Sequence, residues 1–345
     1  MTHPELLRAR GSAETSAPCE NDTIRVRSCP TCYLCGAVGT LLHENLTDRL
    51  YCAPGTWNFK CCSNTACGLV WLDPMPIESD IGEAYKNYYT HAPQTANTKS
   101  SLTERAKAGL IGVYEFLWRF TPIYAERQKL ELMYLGGLPP GRVLEVGCGD
   151  GRNLAGLRAR GWDVQGVEVD KNAAMHASAT YGVPVFCGAF NQAGFRDQAF
   201  DAVVMNHVIE HVHDPVGLLR ESRRVLKRGG HLVAITPNTN GWGHARFGTS
   251  WRGLEPPRHL FLFSQRSLEQ IARTCDFRQV NTWTTAARSV WIVGGSLRVQ
   301  RGEPIRHGLP LITRTIRQAL LHAQALIARH RDPDAGDECI LNARA

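Results

Sequence analysis

A chain of 345 residues, 43% of them hydrophobic, has room for two domains or for one large domain with additions. No apolar run reaches the roughly 18 residues of a membrane-spanning helix, which argues against a helical membrane protein. The net charge of +7 is local: eight Arg and one acid, Glu303, stand between Ala286 and Arg331, so the rest is near neutral and a protein that coats nucleic acid is disfavoured.

The first 18 residues are polar, with Pro4 and Pro18 and no apolar core of a signal peptide, and read as the frayed leader of a cytoplasmic chain. Eight of the 12 Cys fall between Cys19 and Cys67. Clustered cysteines in a cytosolic chain read as metal ligands, whereas the scattered Cys148, Cys187, Cys275 and Cys339 read as small buried hydrophobes. Two pairs stand out, Cys32-Tyr-Leu-Cys35-Gly36 and Cys62-Ser-Asn-Thr-Ala-Cys67-Gly68. Glycine after the second thiolate permits the tight turn of a metal knuckle. About 26 residues separate the pairs, enough for a small β-meander over 41–59. Cys32, Cys35, Cys62 and Cys67 are the expected ligands of a structural Zn2+ in a module over 19–75. The four-residue second spacer leaves Cys61, and after it Cys29, as substitutes. Four thiolates leave no open position for catalysis, and the metal would supply folding free energy to a small module.

Residues 90–101 are polar and read as a linker; 102–135 is helical and aromatic, so 76–135 is expected to be a linker and helical cap over the next domain. Then comes Arg142-Val-Leu-Glu145-Val-Gly147-Cys148-Gly149-Asp-Gly151-Arg152-Asn153, a short apolar strand, three alternating glycines and a helical pattern. Strand, glycine turn and helix form the first unit of a doubly wound sheet, where ligands bind beyond the strand ends and an anionic group suits the helix start. The turn alone fits NAD, FAD or S-adenosylmethionine. A dinucleotide fingerprint needs a third glycine at the sixth position, which here is Arg152.

The Glu-x-Gly-x-Gly-x-Gly run resembles the class I S-adenosylmethionine-dependent methyltransferases. The resemblance implies a seven-stranded Rossmann-like α/β domain over 136–285, of strand order 3-2-1-4-5-7-6 with strand seven antiparallel. It places Glu145, Gly147, Cys148, Gly149, Gly151 and Asn153 around the methionine end of the cofactor. The cysteine pairs, Pro54-Gly-Thr-Trp57, the run from Cys67 to Pro74 and Tyr85, Tyr88 and Tyr89 resemble the zinc-binding leader of certain bacterial methyltransferases, which act on sugars and other small metabolites.

The second strand ends in Glu168, placed to accept from ribose hydroxyls, while Asp170 suits a helix N-cap. After the third strand the family often has an acid against adenine; Gly188-Ala189-Phe190 stands there instead, leaving backbone groups and Phe190 for the contact. Beyond the fourth strand, Asn206 and His207 would line the methionine end. His207-x-x-Glu210-His211 matches an inverted zinc-protease motif, which is discounted after a strand of this kind with no third ligand in view. Some quinone O-methyltransferases resemble this segment and bind a divalent ion here through an extra acid three residues before Glu-His; that position is His207, which leaves a second metal as a lesser alternative.

Asp214 caps a helix that Lys227 to Gly230 would end. The aromatic loop over 241–260 again resembles the zinc-leader enzymes. It suggests Arg252 or Arg258 on a substrate anion, unless the Arg–Glu pairs are internal. His259, His211 and Glu255 are the candidates for acid–base work. After a helix over 267–275 and a strand over 277–284, a basic insertion and a closing strand fill 286–345. Its helix, 311–331, carries Ile312, Ile316, Leu320 and Ile327 on one side and reads as a packing helix or as peripheral contact with a membrane or a lipid-linked substrate. The expected reaction moves a methyl group to an O, N or C atom of a small metabolite, such as a sugar nucleotide or lipid-linked glycan, with no nucleic-acid partner. A nicotinamide-dependent oxidoreductase and a zinc-ribbon binding protein with a non-catalytic Rossmann-like domain are the alternatives.

Overall fold

The computed structural model describes residues 24–86, 122–303 and 312–345. The leader, the linker over 90–101 and most of the expected helical cap lie outside the described residues; the cap's described helix is α1 (Pro122–Glu131). Among the described residues no helix is long and apolar enough to cross a membrane.

The cysteine module supplies β1 (Val26–Arg27), β2 (Gly39–Leu46), β3 (Trp57–Cys62), β4 (Val70–Leu72) and β5 (Met75–Pro76). The larger part follows with β6 (Arg142–Val146), α2 (Arg152–Arg158), β7 (Asp163–Glu168), α3 (Lys171–Tyr181), β8 (Val185–Cys187) and β9 (Phe200–Asn206). Next come α4 (Pro215–Val225), β10 (Leu226–Pro237), α5 (Trp242–Phe247), β11 (Phe261–Leu262), α6 (Gln265–Thr274) and β12 (Arg278–Thr285). The chain closes with α7 (Ser289–Arg301), α8 (Ile312–Arg331) and β13 (Glu338–Arg344).

Seven strands form one sheet in the order β12-β13-β10-β9-β6-β7-β8. Numbered within the sheet this is 6-7-5-4-1-2-3, with β13 antiparallel to both neighbours, as the resemblance implies. Central strands covered on both faces read as continuous apolar runs. Leu144, Val203, Met205, Leu232 and Ala234 feed one core, while Val143, Ala202, Val204, Val233 and Ile235 feed the other. Asp170 caps α3 by accepting from Asn172 N and Ala173 N, and Asp214 caps α4 by accepting from Gly217 N at 2.8 Å.

Several expectations are corrected. Lys227 to Gly230 does not end α4; the helix stops at Val225 and the run enters β10 through an irregularity in register. Cys187 is exposed, unlike the buried Cys148, Cys275 and Cys339. Leu320 and Ile327 of α8 face solvent, and the side that packs carries Leu321, His322 and Ala325; the side chains of Ile312 and Ile316 lie outside the described residues. Helix α7 was not expected at all. Its Gly294 and Gly295 disfavour a helix, yet a Cβ there would meet Gln318 Nε2 at 2.7 Å and Arg252 Cδ at 2.4 Å.

The module is built into the larger part. β11 joins the edge of its sheet, in the order β11-β4-β3-β2, pairing Phe261 with Trp71. Just before β11, Arg258 is fully buried. Its guanidinium meets Asp48 Oδ2 at 2.8 Å, donates to Glu255 Oε1 at 3.0 Å and to Ala84 O at 2.8 Å, and lies over the Tyr51 ring. Asp48 also accepts from the amides of Leu50, Tyr51 and Ala53. Removing one partner of a buried pair costs roughly 3–5 kcal/mol. Asp48→Ala should lose stability of that order in denaturant unfolding; a loss below about 0.5 kcal/mol, the range of ordinary surface changes, would refute this anchoring.

Candidate active site

The glycine turn lies at the C-terminal end of β6, the central strand. Gly147, Gly149 and Gly151 all have positive φ. A Cβ at Gly147 would strike Val208 at 2.5 Å and one at Gly151 would strike Ala177 at 2.7 Å, so these two serve close packing. A Cβ at Gly149 would meet nothing within 4 Å, so the open side of the turn is at Gly149. Gly149 N donates to Glu168 Oε2 at 2.8 Å, and Glu168 Oε1 accepts from Asp170 N at 2.9 Å. Glu168 therefore braces the turn from the end of β7. Beneath the turn, Glu145 is almost fully buried and accepts from Asn153 Nδ2 at 2.9 Å. Its Oε2 has no hydrogen-bond partner among the described residues, and burial pushes its pKa up to about 8. Cys148 is buried, and Phe190 is buried in the turn after β8, following the half-buried Ala189.

A charged network crosses the ends of β9 and β13. His207 has a φ of 56°, a left-handed conformation uncommon for a residue with a side chain. Its Nδ1 lies 3.0 Å from Glu210 Oε1 and its Nε2 2.8 Å from Glu338 Oε1. A ring with a carboxylate at each nitrogen is satisfied as imidazolium. Burial opposes the charge, but the two carboxylates outweigh it and raise the pKa to about 9. Arg288 donates to both oxygens of Glu338 and, through Nη2, to Asn206 Oδ1 at 2.9 Å. Asn206 and His207, expected to line the cofactor, are thus both engaged within the protein.

Beside this network stand His211 and His259, their rings edge to face with centroids 4.6 Å apart. Burial lowers both pKa values, that of His259 to about 4. His259 Nδ1 lies 2.7 Å from Gly253 O; His211 Nδ1 lies 3.1 Å from Arg258 O and 2.9 Å from Tyr85 Oη. The structure brings these two histidines together but holds Glu255 in ion pairs with Arg252 and Arg258. The Arg–Glu pairs are internal, and Arg258, being fully buried, does not reach a substrate anion.

Arg288 and Glu338 escaped the sequence reading. Because β13 runs antiparallel, its first residue, Glu338, pairs with Pro237 at the C-terminal end of β10. An acid opening the closing strand was the available signal.

The β2–β3 hairpin folds the two cysteine pairs together in space. Cys32 Sγ lies 3.7 Å from Cys67 Sγ and Cys35 Sγ 3.3 Å from Cys62 Sγ, and one atom of each of the four lies within 4.8 Å of the others. Thiolates about 2.3 Å from a tetrahedral Zn2+ lie roughly 3.8 Å apart. The amides of Ala37, Asn64 and Leu69 bond to the sulfurs of Cys35, Cys62 and Cys67, two residues back in each case. Cys29 and Cys61 stand outside this cluster.

Residues 118–282 match the family described as Methyltransferase domain. This stretch is a methyltransferase domain. Curated relatives agree. The ubiquinone biosynthesis O-methyltransferase of Alkalilimnicola ehrlichii is 34% identical over 113 residues, 31% of this chain and 45% of that protein. Its namesake in Photorhabdus laumondii is 31% identical over 151 residues, 41% of this chain and 61% of that protein. The methyltransferase domain thus aligns with about half the length of these relatives. A solved S-adenosylmethionine-dependent methyltransferase of Thermotoga maritima, described as a possible histamine N-methyltransferase, is 22% identical with a TM-score of 0.44, covering 68% of this chain and 95% of its own.

The methyltransferase domain should show a distinctive pH dependence without ligands. Glu145, raised from 4.5 to about 8, and His207, raised from 6.5 to about 9, bind more protons folded than unfolded, so their contributions fade as pH rises towards those values. His259, lowered from 6.5 to about 4, acts oppositely and loses its contribution as pH falls from 6.5. Thermal unfolding scans should therefore show Tm declining between pH 6.5 and 9, with a shallower decline in Glu145→Gln. A flat profile over that window would contradict the assignment.

Proposed function

We propose that the chain transfers a methyl group from S-adenosylmethionine to an oxygen of a small-molecule acceptor. The observation that carries this is the glycine turn at the end of the central strand, open at Gly149 and braced by Glu168. The residues fit the cofactor. Glu145 offers an orphaned buried oxygen beneath the turn, suited to a cationic group. Gly149 allows close approach to the backbone, Glu168 is the acid for the ribose, and Ala189 and Phe190 offer the adenine apolar contact. Gly147, Cys148, Gly151 and Asn153 shape the turn, and Asn206 and His207 border it. When bound, the cofactor supplies an electrophilic methyl group on a sulfonium. The protein's own work is to hold two reactants in line and to manage the acceptor's proton.

His211 and His259, neutral at pH 7, are the groups for the acceptor side, and Glu255 positions the loop that carries His259. Relatives named as O-methyltransferases favour oxygen as the acceptor atom. The leader's resemblance supports a sugar nucleotide or lipid-linked glycan as the acceptor. Exposed Leu320 and Ile327 beside Arg317 and Arg331 support peripheral contact of α8 with an anionic membrane.

Calorimetric titration of S-adenosylhomocysteine tests the cofactor. Glu168→Ala should weaken binding by ~1–3 kcal/mol, the cost of an unpaired buried polar contact. Absence of binding by wild type would move a non-catalytic binding protein to the front, and competition by NAD would favour an oxidoreductase.

The cysteine quartet we assign to a structural Zn2+, on the strength of its sulfur spacing and its amide–sulfur bonds. Metal analysis should find zinc retained in Cys61→Ser and lost, with the module's fold, in Cys62→Ser. Zinc lost from Cys61→Ser and kept in Cys62→Ser would reverse the ligand assignment.

A further inference from the structure

The rim of the large sheet carries polar side chains from three strands on one face. Val143 of β6, Val204 of β9 and Ile340 of β13 lie in the same core. Side chains alternate along a strand, so Glu145, Asn206 and Glu338, each two residues from one of these, stand on that face as well. Val146 pairs with Met205, which places Asn206 level with Gly147, the first glycine of the turn.

Arg288, which precedes α7, joins this row from the side. Its Nε donates to Glu338 Oε2 at 3.1 Å and its Nη2 to Glu338 Oε1 at 2.7 Å. That two-point clasp fixes the plane of the guanidinium, and Nη2 also reaches Asn206 Oδ1 at 2.9 Å. Glu338 Oε1 lies 2.8 Å from His207 Nε2 too, so the clasp is tied to the residue after Asn206.

The bond from Arg288 dictates how the Asn206 amide is turned. A guanidinium only donates, so the atom facing it is the amide oxygen, and the amide nitrogen takes the other side. That nitrogen has no acceptor among the described residues, and Asn206 is half-buried. Beside the turn the protein therefore offers one orphaned acceptor, Glu145 Oε2, and one uncommitted donor, Asn206 Nδ2. The amino-acid end of S-adenosylmethionine has the matching halves, an ammonium that only donates and a carboxylate that only accepts.

We propose that Arg288, clasped by Glu338, is a positioning residue that turns the Asn206 amide so that its N–H groups meet the carboxylate of the cofactor's amino-acid end. The inference rests on the cofactor reading above. Arg288 and Glu338 both stand outside residues 118–282, so the family match does not account for them. Asn206 touches the ligand, and Arg288 and Glu338 act through it. Without Arg288 the amide is free to turn over and set its oxygen against the carboxylate, acceptor against acceptor.

Two ligands separate this role from a general loosening of the fold. S-adenosylhomocysteine carries the amino-acid end; 5′-methylthioadenosine keeps the adenosine and the thioether without it. Both are titrated calorimetrically into the full chain. Arg288→Ala should weaken S-adenosylhomocysteine by about tenfold, as loss of a hydrogen bond to a charged group does, and leave 5′-methylthioadenosine within about twofold. Asn206→Ala should show the same split. Adding Arg288→Ala to Asn206→Ala should cost nothing further, because Arg288 acts only through that amide. Circular dichroism checks the fold of each variant. Arg288→Lys serves if Arg288→Ala leaves Glu338 unpaired and does not fold: lysine keeps the charge against Glu338 but cannot clasp both its oxygens while reaching Asn206, so the same split is expected. Where 5′-methylthioadenosine binds too weakly to measure, the double variant decides. Equal weakening of both ligands, unchanged S-adenosylhomocysteine affinity in a folded Arg288 variant, or additive losses in the double variant overturns the positioning role and leaves the cofactor reading standing. No binding of either ligand by wild type overturns the cofactor reading and this inference with it.

Discussion

The Arg258 guanidinium sits at zero exposure between two carboxylates, and both histidines of the candidate site depend on it. Its side chain is held by Asp48 and by Ala84 O, which precede the large sheet, and by Glu255 in its own loop. Its carbonyl faces His211, and the next residue is His259. A buried cation tolerates no loose arrangement, because losing any partner leaves charge desolvated and unpaired. The cysteine module therefore does more than decorate the larger part: moving it away would strip Asp48 from Arg258 and release the loop that carries His259. Glu255 extends the alternation outward to Arg252, whose guanidinium also bonds to Tyr51 of the module.

A second alternation of charge, Glu210–His207–Glu338–Arg288, fixes the other wall. It ties the segment after β9 to the start of β13 and to the residue preceding α7. Its two cations and two anions balance, so it carries no net charge. Its effect is to hold Glu210 ionised in spite of burial: desolvation would raise that carboxyl, but His207 outweighs it and brings the pKa to about 2. A carboxylate held ionised in this way stays deprotonated across neutral pH. It is a poor general acid.

The parts legible in the sequence were those specified by short-range pattern. The glycine turn, the acid ending β7, the caps at Asp170 and Asp214 and the cysteine quartet each declare themselves within a few residues. The strand order came through the family resemblance. The parts that were not legible depend on tertiary packing. Helix α7 was hidden by two glycines whose missing side chains admit Gln318 and Arg252. On α8 the apolar residues were taken to pack, whereas the buried side also carries Gln318 and Arg329, which donate to Val290 O and Thr284 O. Polar side chains that satisfy backbone carbonyls look like a solvated face when only hydropathy is read. Arg258 looked like a ligand for substrate anions for the same reason, since its burial is made by Asp48, over two hundred residues away in sequence.

The contacts of the knuckles carry this argument to the metal. Tyr33, between Cys32 and Cys35, donates its hydroxyl to Asp214, the residue that caps α4. Thr65, between Cys62 and Cys67, accepts from Arg266 at the start of α6. Each cysteine pair thus grips one helix of the large domain, and β4 between them and β5 pairs with β11. Asp214 lies three residues beyond His211, and β11 begins two residues beyond His259. Both histidines therefore sit on segments whose far ends are pinned by the cysteine module. A metal in the quartet would act on the candidate active site through geometry alone, by holding Tyr33 and β4 where those segments need them.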